Sequence, residues 1–250
     1  MAIKLKSVLK IQKQQLLLTV RALLFASSLW LLADQEFSTF QFFAFILIGA
    51  VLYFIPVFKT ILILPSFIAL MIVSPIAMSV FGPQIQYPSL LAGFFGVLFY
   101  LILGIKQMIF VNRAKLHHVL HLALIYCASV LFFAAPSADW FVVRSLFFGV
   151  FSYMLVREFL LIQGSERGAR VKLISALIAF LLVEAVWVLG LLPLGFINSA
   201  GMILIFIFAI EELVVLIERN NLTRRALILE LTTFTVLLIT IFSFSSWTLS

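Results

Sequence analysis

Charge is what this sequence has least of. Only 11% of its 250 residues are Asp, Glu, Lys or Arg, less than half of the roughly 25% usual in soluble domains. That shortage, with the few charges gathered in short clusters between long apolar runs, argues against a water-soluble core. Cysteine is nearly absent too. Cys127 stands alone, so no internal disulfide can form and the redox compartment is unreadable. No Walker loop, G-x-S-x-G elbow or H-E-x-x-H pair occurs, which removes the common nucleotide, serine-hydrolase and zinc-protease chemistries. No apolar segment carries a central lysine, which excludes a Schiff-base cofactor there. None carries an aspartate beyond its first residue, Asp139 of the sixth, which excludes aspartate-rich metal motifs acting on diphosphates. The longest polar connection, QGSERGARVK, gives too little surface to grip nucleic acid or a large soluble substrate.

What fills the space is apolar. Hydrophobic residues make up 64% of the chain, 28 of them Phe, and the mean hydropathy is +1.24. A hydrocarbon core about 30 Å thick takes roughly 20 helical residues to cross. Nine apolar segments approach or reach that length: 15–33, 37–57, 60–81, 88–110, 116–135, 139–161, 171–192, 194–217 and 226–247. The expected fold is therefore all-α, a polytopic helical integral membrane protein of nine crossings. Residues 1–14 form a basic cytoplasmic lead-in, 15–247 one transmembrane domain, and 248–250 a short external tail.

The cations orient it. Lys4, Lys6, Lys10 and Lys13 precede the first segment, and Lys59 follows the second. Lys106, Arg113 and Lys115 surround the end of the fourth, Arg167, Arg170 and Lys172 follow the sixth, and Arg219, Arg224 and Arg225 follow the eighth. The alternate loops, with Asp34 and Glu36, PQIQYP, PSAD and LLPLG, hold no Lys or Arg. The positive-inside rule then puts the N-terminus in the cytoplasm and the C-terminus outside the cell membrane. The first segment spans if Arg21 snorkels to the cytoplasmic headgroups. Placed at helix ends, the net charge of +7 reads as a partner for lipid headgroups, not for nucleic acid.

Glu184 interrupts this pattern in LLVEAVWVLG. The rise of the helix puts it about 13 Å, and Arg144 about 7–8 Å, below the outer boundary. Their helices are consecutive and antiparallel, hence neighbours. A structural pair with Arg144 ranks first for Glu184. A coupling carboxylate in a wet cavity follows, then a protonated acid bonded to a neighbouring helix. Near the cytoplasmic ends gather Arg157, Glu158, Glu211, Glu212, Arg224, Arg225 and Glu230. Glu211 and Glu212 are expected to meet Arg157, Arg224 or Arg225. Paired glutamates alone lack the base and oxyanion donors that hydrolysis requires, and no histidine follows His121. His117, His118 and His121 are spaced like metal ligands on a helix, but no Cys or carboxylate nearby in sequence completes a shell. No metal or cofactor is expected.

Two further patterns stand out. Gly precedes Tyr by four in Gly49/Tyr53, Gly96/Tyr100 and Gly149/Tyr153, at intervals of 47 and 53 residues, which points to duplicated helical hairpins. Gly and Tyr at that spacing share one face, suited to close helix packing. Pro65 and Pro75 lie inside the third segment, where each frees a carbonyl and kinks the helix. Ser66 and Ser74 are placed to satisfy the freed groups. The expected function is a non-catalytic membrane component working with the lipid bilayer and other membrane subunits. The alternatives are a small-solute or ion transporter using Glu184 and Arg144, and a lipid-acting intramembrane enzyme resting on Glu211 and Glu212.

Overall fold

A computed structural model describes residues 2–32, 39–55, 63–107, 109–134, 140–164, 168–218 and 223–244. The side chains of residues 2–13, that of Glu230 among the candidates above, and the C-terminal residues 248–250 lie outside that description. Every regular element among the described residues is helical. In order they are α1 (Ala2–Trp30), α2 (Thr39–Phe54), α3 (Leu64–Phe81), α4 (Pro88–Lys106), α5 (Arg113–Ala134), α6 (Phe141–Ile162), α7 (Ala169–Gly190), α8 (Phe196–Glu218) and α9 (Arg224–Phe244). An apolar chain in lipid has no water to satisfy its backbone, and the helix satisfies that backbone within itself.

Six of these, α3 to α8, are long and apolar enough to cross a membrane. The apolar part of α9 is Leu227–Ile241. The 16 residues of α2 rise only about 24 Å. Contacts divide the chain into two compact units, Met1–Leu120 and His121–Ser250, with the boundary inside α5.

Helix α1 takes in the lysine-rich lead-in and starts at Ala2. One expectation about α3 is corrected. Pro65 does not interrupt α3: it stands in the first turn, where a proline costs no internal hydrogen bond. Only Pro75 lies in the interior of that helix. The Ser74 hydroxyl beside it is fully buried and makes no hydrogen bond among the described residues, so it does not satisfy the freed carbonyl. Helix α6 ends where Gly164 adopts φ +101°, a left-handed conformation favouring a residue without Cβ.

The first unit is built on a run of rings. Phe25 of α1 stacks on Phe99 of α4 at 4.3 Å between centroids and meets Phe45 of α2 at 5.3 Å. Phe67 of α3 lies 6.4 Å from Phe99 and stacks on Tyr53 at 4.0 Å. All five are buried, so one contiguous aromatic core ties four helices together. In the second unit α6 lies along α7, and α8 contacts both α7 and α9.

Candidate functional site

The polar groups inside the helices decide what chemistry is possible. Three cations turn to backbone carbonyls at the C-terminal ends of other helices. Lys106 of α4 donates to the Tyr53 carbonyl at 2.5 Å, with its ammonium 3.8 Å above the Tyr53 ring. Arg21 of α1 donates to the Ile55 carbonyl, just past the same end of α2. In the second unit Arg144 of α6 donates to the Phe132 carbonyl at 3.4 Å, in the last turn of α5. Its guanidinium lies 5.6 Å from the Phe132 ring. The final carbonyls of a helix lack intrahelical donors and carry the negative end of its dipole. A cation from a neighbouring helix answers both. Arg21 serves as such a cap.

Arg144 is thus directed to α5. Glu184 lies on the exposed face of α7, about 9 Å before the C-terminal end of the helix. No hydrogen bond or ion pair joins it to Arg144 among the described residues. A charge at the bilayer centre costs roughly 2.5–3.5 kcal/mol on insertion scales, and such groups almost always face a protein interior or a cavity. The glutamate side chain is too short to snorkel out from that depth. Beside it, α6 and α7 form an open apolar groove of about 440 Å³, walled by Val142, Leu146, Val150, Phe180, Val183 and Trp187. A polar contact lies within its lining. The Trp187 indole donates to Ser145 Oγ at 3.0 Å, and that hydroxyl donates to the Phe141 carbonyl at 2.8 Å.

The other buried constellation pairs His121 of α5 with Glu211 of α8. Nε2 and Oε1 lie 2.5 Å apart, both side chains fully buried, so one proton sits between them. Phe159 of α6 covers the imidazole at 5.2 Å. The expected partners do not meet Glu211 or Glu212: Arg157, Arg224 and Arg225 are exposed and make no hydrogen bond or ion pair among the described residues. Glu158 is buried. His117 is fully buried, like His121, while His118 is half-buried. Among the described residues no group of three or more His, Cys, Asp or Glu could hold a metal ion. The His121–Glu211 pair had a signal in the sequence: His121 lies about 12 Å from the start of α5 and Glu211 about 10 Å from the end of α8, at matching depths.

The three Gly/Tyr pairs separate. A Cβ on Gly96 would lie 2.8 Å from the Ala26 Cβ and 3.3 Å from the Ala22 carbonyl oxygen, so α4 approaches α1 closely at Gly96. A Cβ on Gly149 would lie 2.9 Å from Val183, at the approach of α6 to α7. Tyr100 and Tyr153 line grooves beside these two glycines. Tyr53 instead lies buried under Lys106, and Gly49 faces the tip of Met71. No protein-family model, curated protein or solved structure matches this chain.

Proposed function

We infer that the chain is a non-catalytic component of a cell membrane assembly, threaded nine times with its N-terminus in the cytoplasm and its C-terminus outside. The observation that carries this reading is the use of Arg144. Its guanidinium holds the end of α5 and leaves the carboxylate of α7 without a partner among the described residues. A coupling pair of Arg144 and Glu184 would need the two groups to meet. Lys106 and Arg21 likewise serve as caps joining helices.

Helix polarity supports the threading within each unit. Arg21, the end of α2 and the end of α4 gather together, as alternating crossings require. In the second unit the early part of α5 meets the late parts of α6 and α8. The start of α6 meets the ends of α5 and α7.

A transport role draws on a different observation, the buried His121–Glu211 pair, since ionisable pairs inside membranes also serve proton relays. Reconstitution of the purified chain into vesicles separates the readings. The component reading expects no proton or cation flux above protein-free vesicles, and a larger particle when the chain is extracted gently from its native membrane. Flux by the lone chain that Glu211→Gln or Glu184→Gln stops would overturn it in favour of transport. Lipid turnover abolished by Glu211→Gln and Glu212→Gln in a folded chain would instead favour the enzyme.

A further inference from the structure

We propose that the outward ridge of α7, Leu173–Leu177–Phe180–Glu184–Trp187–Leu191, docks one transmembrane helix of a different protein, which presents a basic side chain to Glu184. The proposal rests on the component reading and names the partner's chemistry.

The ridge residues follow one another at steps of 4, 3, 4, 3 and 4. Those steps average close to the 3.5-residue repeat that keeps one seam of a helix facing a partner along its length. The seam is free: Leu173 is 71% exposed, Phe180 59% and Leu191 86%, and Glu184 is exposed with them. From Leu173 to Leu191 it rises about 27 Å, nearly the thickness of the hydrocarbon core. The α6–α7 groove runs beside it, with Phe180 and Trp187 on the shared rim and Gly149 and Ala179 among its small lining residues. Large side chains of an incoming helix fit between those rims as ridges fit grooves.

Glu184 selects the occupant. Acyl chains bring no hydrogen-bond donor to a carboxylate at this depth. A second copy of this chain, docked through the same ridge about a two-fold axis, would set Glu184 against Glu184. Neither the ridge nor the facing wall of α6 (Val142, Leu146, Val150) carries a cation that could intervene. Arg144 already holds the Phe132 carbonyl. The complementary charge therefore comes from another protein, as a Lys, Arg or His within the outer half of a membrane helix. One polar position in an otherwise apolar seam also fixes register and partner choice.

The test places a photo-crosslinking amino acid at Leu177 or Phe180 on the ridge or at Val188 bordering it, with Phe147 of α6, 73% exposed, as an off-ridge control. Crosslinking is done in the native membrane, and the joined peptides are sequenced by mass spectrometry. The proposal expects these positions to join one transmembrane segment of another protein, with a basic residue within about two turns of the attachment point. Phe147 should not join it. Glu184→Leu should cut the yield at least tenfold, and Glu184→Asp should restore part of it, in chains whose elution profile and helical signal are unchanged. Attachment to a second copy, to lipid alone, or to a segment without a basic residue overturns the proposal, as does a yield that ignores Glu184→Leu. None of those outcomes touches the component reading, which falls only if the lone chain proves active in vesicles.

Discussion

The ammonium of Lys106 sits 3.8 Å above the Tyr53 ring while donating to the carbonyl of the same residue. One cation thereby closes the end of α2 and fastens it to α4, two helices apart in sequence. Tyr53 is 2% exposed and Lys106 7%, so the exchange takes place away from the surface. Replacing Lys106 with Met keeps most of the volume and removes the donor. The Tyr53 carbonyl then faces a desolvation cost of roughly 1–3 kcal/mol, with a further ~1–2 kcal/mol of cation–π attraction lost. Thermal unfolding in detergent should show Lys106→Met clearly destabilised and Lys106→Arg less so. Equal stability of Lys106→Met and the natural chain would mean that the cap contributes nothing.

Gly96 and Gly93 lie one turn apart on α4 and should answer alanine differently. The Cβ of an alanine at position 96 meets a Cβ and a backbone oxygen of α1, neither of which can swing aside. The two helices must separate, an overpacking cost of about 1–3 kcal/mol. At Gly93 nothing lies within 4 Å of the added atom. There Gly93→Ala should gain up to ~1 kcal/mol of helix propensity. Unfolding of the two variants side by side checks the prediction, and a neutral Gly96→Ala would remove the close α1–α4 contact.

The pair of His121 and Glu211 invites a double-mutant cycle. Removing either partner alone breaks their contact inside a fully buried site, a loss of about 3–5 kcal/mol for a broken buried pair. Joint replacement by Leu removes both polar groups and should cost much less than the sum of the single changes. Coupling below about 0.5 kcal/mol would show that the two groups do not depend on each other.

The difference between what could and could not be read from the sequence follows from the kind of partner each residue has. Helices α6 and α8 lie within two residues of the bounds expected from their apolar runs, because lipid leaves the backbone no alternative to the helix. Pro65 was misread because a proline in a first turn and one in an interior look alike until the start of the helix is known. The destination of Arg144 was hidden for a deeper reason. Charge complementarity points from an arginine to a carboxylate, whereas the group it meets is a main-chain oxygen that every residue carries. The likeness of the Gly/Tyr pairs does not extend to their surroundings, since Tyr53 packs under a cation and its two counterparts line grooves.

The threading can be tested without touching any of these contacts. Cys127 is the only cysteine, so Cys127→Ala gives a background for single reporters. Gln84 lies in the exposed turn between α3 and α4, Asn112 is exposed before α5, and Gly195 is exposed between α7 and α8. With alternating crossings and the cations inside, an impermeant maleimide should label Gln84→Cys and Gly195→Cys on intact cells. Asn112→Cys should react only after the membrane is opened. Helix α4 carries this prediction most directly, since it alone separates Gln84 from Asn112. Labelling of both from outside would mean that α4 does not cross, and the cap formed by Lys106 would then lie on the wrong side of the bilayer for the basic residues around it.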